Sequence, residues 1–315
     1  METITQTIDS GRRELSPLQL TWSRFCTHRM ALLSGLILII LIILALAAPI
    51  IEYVSGYSTS SVDLLNRFET ASLSHPFGTD ELGRDVLLRL FYGGRVSLLV
   101  GLTTAVLAAL FGVIIGIPAG YFGGWLDSLL MRLTDSVIAL PLLPLLIVLA
   151  AVDLSKLGVS PAVANSPELS FYRIVLIISL VGWTTVARLV RGAALSLRER
   201  DFVLAALSQG ASHTWIMLRH ILPNSISPIL VSTTLSVGNI ILLESVLSFL
   251  GLGIQPPIPS WGNMLSNAQE LIYEAPMLAV WPGLAIFITV VAFNFLGDGL
   301  QDALDPKESA RWPTD

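Results

Sequence analysis

Apolar residues in this chain come in long unbroken runs, not in alternation. The clearest run, MALLSGLILIILIILALAAPI, covers about residues 30–50. Five more follow at about 97–120, 128–152, 171–190, 225–250 and 279–300. Each has the roughly 20 residues that a helix needs to cross the hydrocarbon of a bilayer. The pattern predicts an all-α integral membrane protein with six transmembrane helices. A β-barrel is disfavoured, because its strands alternate. In the third run ALPLLP is a breaker, and Pro141 and Pro144 predict a bend.

Composition agrees. The 315 residues are 53% hydrophobic and only 13% charged, about half the charge of a soluble domain. Net charge of −5 matters less than where the charges fall. Arg12, Arg13, Arg24 and Arg29 precede the first run, and Lys307 and Arg311 follow the last. Arg188, Arg191, Arg198, Arg200 and Arg219 surround the interval between runs four and five. Six spans put these three regions on one side, so that side is expected to be cytoplasmic, with both termini there. The opposite side has Arg67, Arg84, Arg89 and Arg95 in one long, partly acidic loop, with Lys156 and Arg173 elsewhere. The mixed polar stretch before the first run has no cleavage-like site after it, so no removed signal peptide is expected. Cys26 is the single cysteine and excludes an intrachain disulfide.

The long external interval contains HPFGTDELGRDVLLRLFYGGR, a turn followed by a short amphipathic helix. Thr79 or Asp80 is expected to cap it, with Val86, Leu87, Leu90 and Phe91 as its apolar face. Arg84 and Asp85 are expected to pair. Trp261, Tyr273 and Trp281 are expected to be aromatic anchors at the membrane boundary.

The cytoplasmic interval RERDFVLAALSQGASHTWIMLRHILPN, residues 198–224, is a charged, Gly-broken segment between two apolar runs. Asp201 is expected to cap a helix FVLAALS, Gly210 to end it in a left-handed turn, and Ser212 to cap a second helix. Pro223, lacking an amide hydrogen, is expected to mark a break before span five. Val203 to Leu207 and Trp215 to Leu218 are apolar and need burial. They pack either on the chain's own spans or in a groove on another protein.

Here the chain resembles a family. Ala205-Ala206, then Gly210, then Leu222-Pro223 match the cytoplasmic loop of ABC importer permeases, with Leu204 where that family usually has Glu. HPFGTDELGRDVLLRLFYGGRVSLLVG, SFLGLGIQPPIPSWGNML and LAIFITVVAFNFLGDGLQDALDP resemble the dipeptide/oligopeptide/nickel branch, its second permease subunit in particular. The resemblance implies the type I importer fold, with a coupling loop formed by Asp201, Leu204, Ala205, Ala206, Gly210, Leu222 and Pro223. It implies an N-terminal part over 1–94, a transporter domain over 95–302 and a tail over 303–315. It also implies partners: a second homologous permease, two ATP-binding subunits, an extracytoplasmic substrate-binding protein and the lipid membrane, with no nucleic acid. No GxxxxGK[ST] occurs, so ATP and Mg are expected on those partner subunits, with no cofactor and no enzymatic activity in this chain.

Polar residues within spans are functional candidates by default. Asp135, Asn239, Glu244 and Asn294 are the possible pore-lining set, or else they bond helix to helix. His28, His75, His213 and His220 have no metal-ligand spacing, and no metal site is expected. An ion-coupled secondary transporter is the alternative function, though Pro141/Pro144 and Pro228 do not form matched breaks in two halves. The exact solute (dipeptide, oligopeptide, glutathione or nickel complex) is left open by the residues.

Overall fold

A computed structural model describes residues 17–304 except Asn165 and Asn267. Arg12, Arg13, Lys307, Arg311 and most of the expected 303–315 tail therefore lie outside the described residues. Among these residues there are helices and no strands, apart from an isolated bridge between Thr79 and Asp85.

A short helix α1, Pro17–Thr27, precedes the spans. Five helices are long and apolar enough to cross a membrane. They are α2 (Arg29–Ser55), α3 (Val86–Phe122), α6 (Pro167–Leu197), α9 (Ile226–Phe249) and α10 (Met277–Leu304). The third run forms a bent pair, α4 (Gly124–Ala139) and α5 (Leu142–Ala150), kinked by 85°. Leu140 and Pro141 are extended at the break, because a residue before proline is driven out of the helical region. The bend expected at Pro141 and Pro144 is thus present.

α3 and α6 form the spine. Their contact rests on Gly112, Gly116 and Gly120, one turn apart. A Cβ on Gly116 would sit 2.5 Å from the Ala187 carbonyl oxygen, and one on Gly120 would sit 2.5 Å from that of Arg191. Lipid gives two helices no hydrophobic reason to associate, so close backbone approach at small residues supplies the attraction.

The helix ends gather in two groups. One end, here the loop end, holds Gly123 and the segment 198–224. The far end holds residues 56–85 and 250–276. There the chain corrects the expected capping. Asp85 caps α3, accepting from the Leu88 amide at 2.7 Å, and its other oxygen meets His75 Nδ1 at 2.9 Å. Thr79 and Asp80 cap nothing; Asp80 accepts from Arg84 Nε at 2.7 Å and faces Arg89 Nε at 3.3 Å. Arg84 therefore pairs with Asp80, not with its neighbour Asp85. The expected short amphipathic helix is the first part of α3, which runs unbroken through residues 94 and 95. Gly93 and Gly94 do not break it. They make room for Trp261, whose ring lies 2.8 Å from a Cβ built on Gly94.

Trp261 is accordingly not a boundary anchor. It is buried, with its indole N–H donating to the Leu90 carbonyl at 2.9 Å. Trp281 stacks on Phe77 with ring centroids 4.0 Å apart, and Tyr273 is exposed.

Candidate functional site

The segment after α6 folds as two helices around a glycine turn. α7 spans Asp201–Ser208. Arg200 holds its cap position and no side chain caps it, so Asp201 is the first helical residue and not the cap expected. Its carboxylate there still complements the partial positive charge of the helix start. Gly210 has φ of +82°, the left-handed region. The Ala211 amide bonds the Ala206 carbonyl at 3.1 Å and the Gly210 amide bonds Leu207 at 3.0 Å, together a Schellman ending.

Ser212 caps α8 (His213–Ile216), accepting from the Trp215 amide at 3.4 Å. The path then widens into a π-helical stretch, Met217–Ile221, where the Leu222 amide reaches back to Met217. Pro223 offers no amide hydrogen and sits in a short helical piece, Leu222–Asn224. The expected clean break at Pro223 is therefore a π turn that leads almost continuously, through buried Ser225, into α9.

This segment is two-sided. Val203, Ile216 and Ile221 are fully buried against Ile117, Tyr121, Val186, Val190 and Ala194 of α3 and α6. Each such side chain contributes about 2 kcal/mol. The Tyr121 hydroxyl meets His213 Nδ1 at 2.7 Å, and Arg198 Nη1 donates to the Gly120 carbonyl at 3.3 Å. The opposite side stays open: Phe202, Leu204, Leu207, Trp215 and Leu218 are exposed, Leu204 by 49% and Leu218 by 61%. Ala205 is exposed and Ala206 half-buried.

The second feature is a cleft of about 730 Å³ between the α4–α5 bend, α6 and α9. Its wall includes Leu140, Thr184, Thr185, Arg188, Ser236 and Asn239. The four polar candidates do not converge there. Asn239 lines the cleft and is exposed to it. Asp135 bonds Arg188 across α4 and α6 at 2.5 Å. Glu244 is fully buried away from the cleft, accepting from Ser248 Oγ at 2.6 Å and Ser97 Oγ at 3.2 Å. Asn294 is exposed on α10, apart from the cleft. The sequence reading missed Thr184, Thr185 and Ser236 and took Arg188 only as one of the cytoplasmic arginines. The one available signal was the position of Arg188 within the end of the fourth apolar run.

Residues 112–309 match the family described as binding-protein-dependent transport system inner membrane component, and residues 16–67 match the N-terminal TM domain of oligopeptide transport permease C. The chain is similar to the dipeptide transport system permease protein DppC of Alkalihalophilus pseudofirmus, with 38% identity over 93% of this chain and 91% of that one. It is similar to the oligopeptide transport system permease protein OppC of Bacillus subtilis, with 37% identity over 94% and 92%. It is also similar to the glutathione transport system permease protein GsiD of Escherichia coli O6:K15:H31, with 41% identity over 91% and 89%.

Proposed function

This chain belongs to the family of binding-protein-dependent transport system inner membrane components, and we propose that it forms half the pore of an ATP-driven importer of di- or oligopeptides or a related small solute. The peptide class is taken from the similar dipeptide, oligopeptide and glutathione permeases. A second, homologous permease supplies the other half of the pore. Two ATP-binding subunits sit against the loop end and carry ATP and Mg. A soluble binding protein delivers the solute to the far end. The arginine-rich loop end and both termini face the cytoplasm.

The observation that carries this reading is the two-sided segment 198–224. Its inner side is bolted to α3 and α6 by Val203, Ile216 and Ile221. Its outer side presents Leu204, Ala205 and Leu207, exposed among the described residues. That combination supports a lever: a partner gripping the outer side moves the spans through the inner side. ATP closes the paired subunits and shifts the pore between inward- and outward-open states. ATP must bind those two states with different affinity, and the segment is where that difference is transmitted. Leu204, in place of the usual Glu, makes this contact apolar where relatives of the usual pattern have a charge. Asn239 is proposed to line the pore.

The test is to purify the tagged chain from native membranes in mild detergent, identify what accompanies it, and reconstitute uptake. The expected result is recovery of one homologous permease and ATP-binding subunits, with dipeptide uptake that requires ATP. Recovery of the chain alone after crosslinking, with uptake driven by an ion gradient, supports the ion-coupled alternative instead. Its relatives give that alternative no support.

A further inference from the structure

Two ion pairs tie α4 to α6, and they are built differently. Arg191 grips Asp127 with two bonds of 2.6 Å each, and the Asp127 side chain is only 14% exposed. Arg188 meets Asp135 through a single bond of 2.5 Å, and the two side chains are 50% and 59% exposed. The first pair is a closed strut near the helix ends. The second puts Arg188 in the cleft wall, with Asp135 bonded to it from α4.

Position sharpens the contrast. Arg188 lies one turn before Arg191 on α6 and reaches the cleft wall. A guanidinium beside a mostly apolar wall favours an anion next to it. Asp135 is that anion. Yet one bond uses one of the five donors on a guanidinium, whose planar fork suits a second carboxylate. Beside it the Asn239 amide, exposed in the same cleft, makes no hydrogen bond among the described residues. The remaining wall is mostly apolar, and a volume of about 730 Å³ falls in the ordinary range for small-molecule sites.

We propose that Arg188 is a transit site for the carboxylate of the solute, and that Asp135 is a resident carboxylate which the solute displaces and which displaces it in turn. Asn239 holds an amide group of the same solute. The exchange keeps Arg188 paired at every stage, so no step leaves its charge without a partner in the cleft. The resident anion also keeps occupancy weak, so the solute leaves. This inference rests on the pore reading above and names the class of solute within it: a small molecule with a free carboxylate next to amide groups.

The test uses the complete permease–ATPase complex, with Cys26→Ser and Thr185→Cys as a reporter in the cleft. The rate of maleimide labelling at position 185 is measured against dialanine and against dialanine amide. Dialanine is expected to slow labelling, and the amide to need at least about tenfold higher concentration, the loss of one charge-assisted bond. Arg188→Gln is expected to abolish that difference, and Asp135→Asn to give protection at lower dialanine concentration. The charge swap Asp135→Arg with Arg188→Asp restores the ion pair but moves the receptor, so it is expected to keep thermal stability and lose protection. Equal protection by acid and amide, no protection at all, or full protection in the swapped protein overturns the proposal. Wild-type complex that takes up no solute with ATP overturns the pore reading instead.

Discussion

The two ends of the bundle solve the problem of exposed backbone and side chains in opposite ways. At the far end, polar groups close on one another. Glu244, fully buried, accepts from Ser97 and Ser248. Ser97 in turn accepts from the Trp261 amide at 3.2 Å, and Ser248 accepts from the Ile254 amide at 3.0 Å. Asn263 bonds the Ile254 and Ile258 carbonyls at 3.2 and 2.8 Å. The loop end has its own buried anchor, but there Leu204, Leu207 and Leu218 are left uncovered. A buried polar network that is fully satisfied fixes one arrangement. Apolar surface left open is instead a site for a partner. At the far end the buried polar groups satisfy one another, while at the loop end α7 is anchored on one side and keeps an apolar face open on the other.

Four substitutions probe that contrast, in order of decreasing effect. Gly116→Leu attacks the spine that both ends share. Its Cβ would sit 2.5 Å from the Ala187 carbonyl oxygen, which is backbone and cannot yield. A loss of about 4 kcal/mol or more is expected, read as failure to recover monodisperse protein. Glu244→Ala strips the far-end network of its shared acceptor and leaves a cavity. It is expected to cost about 3 kcal/mol in thermal unfolding, while docking of ATP-binding subunits to folded protein is unchanged.

At the loop end the effects on stability are smaller and those on function larger. Gly210→Val puts a β-branched residue at φ of +82° with no clash, so the cost is backbone strain of about 1–2 kcal/mol. Protein yield is expected to persist and ATP-driven uptake to fail; normal uptake contradicts the lever. Leu204→Ala is expected to leave unfolding unchanged and weaken docking about fivefold, the value of about 1 kcal/mol for the half side chain still to be buried. If it melts the protein without touching docking, Leu204 belongs to the interior.

Much of this architecture was legible in the apolar runs, since a bilayer demands their length whatever their partners. All six expected spans correspond to helices, and the proline break falls where ALPLLP placed it. The turn at Gly210 and the cap at Ser212 were legible for a similar local reason: each is set by a few neighbouring atoms. What sequence alone did not show was the partner of each polar group. Asp80 and Asp85 both suit a cap, and only Arg84 and Arg89 folding onto Asp80 leave Asp85 free for α3. Gly93-Gly94 makes room for Trp261, a residue far along the chain whose packing there no local pattern announces. Glu244 and Asn239 lie five residues apart on one apolar helix, and a pattern without a polar face cannot say which of them meets the cleft. Asp135 finds its partner at Arg188, a pairing fixed only when α4 lies on α6.

The proposed lever requires the outer side of α7 to touch an ATP-binding subunit. A photo-crosslinking amino acid placed at Leu204, with Leu73 at the far end as a control site, tests it most directly. Leu73 is fully exposed, so both positions are accessible. Illumination of native membranes is expected to join position 204 to an ATP-binding subunit, with a yield that changes on adding ATP, and position 73 is expected to give no such product. Adducts from position 204 that stay within this chain, or that match those of position 73, contradict it.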